Sequence, residues 1–167
     1  MMDDKKKDNI RFFLKVTFAH VFTYIICGVI AMELFNYMEW IAEQENWRAA
    51  DDLMYALALP LQLVRGALYG IALLFLKDTL LQSKYGMIKL YLIMVILGIF
   101  NTPAPSPGSI EAFIYLVPAN EPLIVKLGGT VEILTQNLLF CIIVCTKWKK
   151  LTLKIKTMTL YKPSERT

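Results

Sequence analysis

Four apolar runs, residues 12–37, 53–76, 85–100 and 122–146, leave this chain few ways to fold. A helix that crosses a bilayer takes about 20 residues, with a lower limit near 17. The first, second and fourth runs meet that length, whereas the third reaches the limit only when Tyr85 through Asn101 are counted. The predicted fold is all-α: a polytopic membrane protein with four transmembrane helices in an antiparallel bundle. The composition agrees, since 56% of the 167 residues are hydrophobic and 19% charged, more apolar than an ordinary soluble domain.

Basic residues fall on alternate sides of these runs. Lys5, Lys6, Lys7, Arg11 and Lys15 precede or enter the first; Lys77, Lys84 and Lys89 lie between the second and third. Lys147, Lys149, Lys150, Lys154, Lys156, Lys162 and Arg166 follow the fourth. The other two connections carry only Arg48 and Lys126, against Glu39, Glu43, Glu45, Asp51, Asp52, Glu111 and Glu121. Lysine and arginine bias sets orientation, so both termini and the middle hairpin are expected in the cytoplasm, at the plasma or inner membrane. The same asymmetry accounts for the net charge of +4 without nucleic acid. The first run is too long for a cleavable signal and reads as a signal-anchor helix. Tyr37, Trp40 and Trp47 at one boundary and Trp148 at the other fit interfacial aromatic belts.

Two domains are expected: residues 1–150 as the transmembrane unit and 151–167 as a basic cytoplasmic tail. The hairpin from Lys77 to Lys84 makes the second and third helices antiparallel neighbours. The connection from Asn101 to Glu121 opens with Pro103, Pro105 and Pro107, which exclude a helix there. An apolar stretch from Ser109 to Val117 follows, too short to span, and reads as an extracytoplasmic interfacial helix between the third and fourth spans. In the tail, Leu151 to Lys156 alternates apolar and polar residues, a pattern that would lie on anionic headgroups or add a strand to a partner.

Polar groups within the runs are the candidate site. Arg65 stands near the middle of the second run, where a guanidinium costs at least about 2.5–3.5 kcal/mol and normally faces a partner or water. Tyr55, Gln62, Arg65 and Tyr69 are spaced by seven, three and four and share one helix face, with Gly66 and Gly70 beside them to admit a neighbouring helix. Glu132 and Gln136 share a face of the fourth helix. The economical arrangement bridges Arg65 to Glu132, with Gln62, Gln136 and Tyr69 meeting the remaining donors and Glu33 joining from above. His20, thirteen residues from Glu33, falls on the other side of its helix and is expected outside the cluster, in a patch with Tyr24.

Enzyme signatures are scarce. One histidine excludes a histidine-rich metal site or bis-histidine haem within this chain, and no cofactor is implied. No run carries paired aspartates, none contains a serine, and no phosphate-binding glycine loop occurs. Cys27, Cys141 and Cys145 read as small packing residues. The leading expectation is therefore a non-catalytic membrane protein with a buried polar cluster. It would handle a small polar solute or ion, or act as a subunit of a membrane assembly. Its partners would be the bilayer and a second copy or another membrane chain. Two alternatives differ in class: an enzyme acting on a lipid-linked substrate through Glu111 or Glu132, and a scaffold that recruits a partner through its tail.

Overall fold

A computed structural model of the protein describes residues 2–37, 39, 57–102, 109–110, 114 and 122–146. The fold is all-helical, 91% helix, with no strand among the described residues. Helix α1 spans Met2–Phe35 and α2 spans Ala58–Gln82. Helix α3 spans Gly86–Val95 and continues as a π-helical segment, Ile96–Phe100; α4 spans Leu123–Cys145. Among the described residues three stretches are long and apolar enough to cross a membrane: Asp4–Phe35, Ala58–Gln82 and Leu123–Cys145. Gly86–Phe100 is apolar but shorter, below the usual minimum for a crossing.

Each boundary has a local cause. Helix α2 starts with Pro60 in its first turn, where a missing N–H removes no helical bond, and Leu61 N donates to Leu57 O at 3.0 Å. Helix α1 ends because Asn36 takes φ 53°, the left-handed conformation that asparagine tolerates better than most residues. That turn folds the chain back and stacks Tyr37 on Phe35, ring centroids 5.8 Å apart. In the π segment, Asn101 N donates to Ile96 O at 2.8 Å, the wider ladder of that geometry. Of the connection predicted as an interfacial helix, Ser109 is buried, while Ile110 and Ile114 are helical and exposed; the rest lies outside the described residues. The tail, residues 151–167, lies outside them too.

Helix α1 is the shared element. It packs most extensively on α2 and then on α4, while α3 packs on α4 more than on α2, so α2 and α4 meet little. Gly66 and Gly70 set the α1–α2 distance. A Cβ on Gly66 would stand 2.7 Å from Thr17 O, and one on Gly70 would stand 2.7 Å from the Phe13 ring. These two glycines thus admit a neighbouring helix, as the sequence suggested. On the other side of α1, Gly128 of α4 receives the Phe35 ring.

The basic end is fastened by two lysines. Lys77, only 7% exposed, donates to Asp8 Oδ2 and to Asn9 Oδ1 at 2.9 Å, and its ammonium lies 5.7 Å from the Phe12 ring centroid. Lys15 donates to the carbonyls of Val144 at 2.8 Å and Thr146 at 2.7 Å, placing a cation on the negative end of the α4 dipole. Around these contacts lies the core, built from Phe12, Val16, Ala19, Leu73, Leu80, Leu90, Phe140, Cys141 and Val144. No residue of α2 before Gly66 is buried, so packing is densest toward the basic end. The remaining faces carry large exposed apolar side chains, with Phe75 at 86%.

Gly66→Ala is expected to destabilise the protein by about 1–3 kcal/mol, because the new methyl meets backbone that cannot swing aside. Gly98→Ala, which meets nothing within 4 Å, serves as the control. Denaturant-driven unfolding in detergent, followed by circular dichroism, measures both.

Candidate functional site

Two polar groupings lie along α1, at different heights. The first centres on His20, which is 4% exposed. Its Nε2 stands 3.0 Å from Gln62 Oε1 of α2, so that nitrogen donates to the amide oxygen. Tyr69 sets its ring against the imidazole at 5.0 Å in an edge arrangement, and Phe140 of α4 approaches both rings, at 6.3 Å and 5.8 Å. Tyr24 is further along α1, 6.3 Å from His20. Arg65 is exposed, and its guanidinium carbon lies 6.0 Å from the Tyr69 ring centroid. The nearby hydroxyls of Thr17 and Thr23 donate to carbonyls of their own helix, which satisfies them within an apolar interior.

The second grouping lies at the far end of α1. Glu132 of α4 is half-buried, and a Cβ on Gly28 would stand 3.7 Å from its Oε1. The Tyr37 hydroxyl, carried back by the Asn36 turn, has Glu132 as its charged neighbour. That hydroxyl is buried, and the Glu132 carboxyl is the polar group it faces. Gln136 is half-buried one turn from Glu132, toward Phe140 and the first grouping. Glu132, Gln136 and Phe140 are four apart, so they line one face of α4.

The arrangement corrects the expected geometry in three places. Arg65 and Glu132 do not meet, and among the described residues Arg65 makes no ion pair. Gly66, next to Arg65, backs onto Thr17, whereas Glu132 lies beside Gly28; eleven residues of α1 separate those levels, about 16 Å along the axis. The apolar runs mislead about depth because α2 continues to Gln82, past the end of its run at residue 76. The second correction concerns His20, which the spacing had excluded. It is the centre of the grouping that holds Gln62, Arg65 and Tyr69, because that face of α2 turns toward the middle of α1. The third is Glu33, which is exposed and joins neither grouping. Tyr37 was missed as a site residue, and the asparagine before it was its only signal.

Chemically, the first grouping is a neutral hydrogen-bonded pair walled by aromatic rings, with a cation at its edge. The second is a carboxyl group facing a buried phenol. Among the described residues no group of three histidine, cysteine or acidic side chains is placed to hold a metal ion. Cys27 and Cys141 are buried, and all three thiols are free. Comparison with known proteins finds no matching family model, curated protein or solved structure.

A double-mutant cycle separates these contacts. His20→Ala and Gln62→Ala are expected to couple by about 0.6 kcal/mol, the usual strength of an interhelical hydrogen bond between membrane helices. Arg65→Leu and Glu132→Leu are expected to add within about 0.3–0.5 kcal/mol, as distant sites do. Unfolding free energies of the single and double variants give both values.

Proposed function

We propose that this protein is a non-catalytic subunit of a membrane assembly, in which Arg65 is met by an acceptor from a second copy or another membrane chain. One observation supports the reading above the others. Arg65 is exposed on an apolar helix, flanked by Val64 and Leu68 at 57% and 62% exposure, with no carboxylate of this chain paired to it among the described residues. A guanidinium held within hydrocarbon costs several kcal/mol unless water or a polar partner meets it. The aromatic neighbour Tyr69 offsets part of that cost and leaves the hydrogen-bond donors available.

In this reading the chain crosses the plasma or inner membrane four times, with both termini in the cytoplasm. The charge distribution supports that topology: Lys5, Lys6, Lys7, Lys84 and Lys89 fall at one end of the helices. Helix α3 then makes the third crossing, with Tyr85 and Asn101 completing its length. A second reading has its own support. Glu132, Gln136 and the buried Tyr37 hydroxyl lie where the helices pack least, which suits contact with a small polar solute or a cation. An assembly would supply the further wall that four helices lack. The lipid-linked enzyme depends on Glu111 or Glu132 and the tail-recruiting scaffold on residues 151–167; Glu111 and the tail lie outside the described residues.

The test is the state of association in native membranes and after mild detergent extraction. With Cys27, Cys141 and Cys145 replaced by alanine and Leu68→Cys introduced, oxidation is expected to crosslink the chain to a copy or a partner. Arg65→Leu should abolish that product while helicity is retained, and Arg65→Lys should preserve part of it. A chain that is monomeric in membranes, and whose behaviour Arg65→Leu leaves unchanged, would overturn the proposal.

A further inference from the structure

A cleft of about 390 Å³ opens between the first turns of α1 and the second half of α2, lined by Lys5, Lys6, Asn9, Ile10, Phe13 and Leu74. We infer that it binds one anionic glycerophospholipid, its phosphate on Lys5, Lys6 and Asn9 and an acyl chain along Ile10, Phe13 and Leu74. The spacing builds the wall. Lys6, Asn9, Ile10 and Phe13 stand at i, i+3, i+4 and i+7, and Lys5 is one turn before Asn9, so the lining faces one way. Its polar residues are all at the basic end and its apolar residues all follow.

Three observations favour this occupant. Lys5 and Lys6 are exposed and give the cleft its charge. Asn9 is already oriented: its Oδ1 accepts from the Lys77 ammonium, a group that only donates, so its amide N–H groups are left for an acceptor. Axial distances match a lipid as well. Four residues from Lys6 to Ile10 amount to about 6 Å, the depth of the headgroup layer between water and hydrocarbon. Gly70 completes the floor, because its missing side chain lets the Phe13 ring lie against α2. A choline headgroup would bring its own cation against the two lysines, so the site selects for net negative charge.

The inference needs α1 and α2 to cross a bilayer, and it does not need Arg65 to meet another chain. Full-length protein would be reconstituted with an equimolar mixture of palmitoyl-oleoyl phosphatidylglycerol and phosphatidylcholine, and its retained lipid read by native mass spectrometry. One phosphatidylglycerol is expected to stay bound in preference to phosphatidylcholine. Lys5→Gln with Lys6→Gln should weaken retention about 30-fold, from two lysines near a charged surface. Leu74→Trp, which fills the apolar side and keeps both lysines, should weaken it too. Lys84→Gln with Lys89→Gln removes the same charge from exposed positions outside the cleft and should leave retention unchanged. Equal retention of the two lipids, full retention in both cleft variants, or an equal loss in the Lys84/Lys89 pair would overturn the assignment. Arg65→Leu should keep the lipid, so failure of the assembly reading and failure of this one are separable.

Discussion

The close approach of α2 to α1 at Gly66 and Gly70 decides which groups in this protein can meet. Where a helix touches another through backbone, sliding by one turn brings a bulky side chain into the gap, so the register is fixed. That one register places Lys77 on Asp8 and Asn9 at one end and Gln62 on His20 nearer the middle. Helix α4 is measured against the opposite side of α1: Lys15 at its last carbonyls, Phe140 at His20, Glu132 at Gly28. Helix α1 is therefore the ruler for both neighbours, and α2 and α4, which meet little beyond Tyr69 and Phe140, inherit unrelated heights.

Packing along that ruler is uneven. The largest fully buried side chains include Phe140, Leu90, Val16 and Val144, and each belongs to the cluster near the basic end. Along α4 before Phe140, only Gly128 is buried among the described residues. The fold therefore divides into a tight half, which carries the stability, and a looser half, which carries Glu132, Gln136 and Tyr37. Interactions in the loose half contribute less to holding the helices together and leave more polar capacity for other molecules.

Much of this was legible in the residues. The apolar runs give the helical class and the approximate helices, because period and length are strong signals in apolar sequence. The stripe of Gln62, Arg65 and Tyr69 was legible because helical spacing alone defines it. Its partner was not. Depth was counted from the ends of apolar runs, and a helix is free to overrun its apolar run, as α2 does from residue 76 to Gln82. That overrun alone is about 9 Å, more than a turn, enough to pair Arg65 with the wrong level. The left-handed Asn36 and the π segment were hidden for another reason. Both are local backbone choices that tertiary contacts select, Phe35 and Tyr37 against α4 in the first case.

The grip of Lys15 on the carbonyls of Val144 and Thr146 joins α1 to the end of α4. Until the ribosome has delivered residue 146, that ammonium has no carbonyl to hold and α4 has no cation at its terminus. The ring of helices therefore closes late, once the chain from α1 through the last turn of α4 has been made. A nascent chain halted before that point would contain every contact between α1 and α2 and still lack its final clasp.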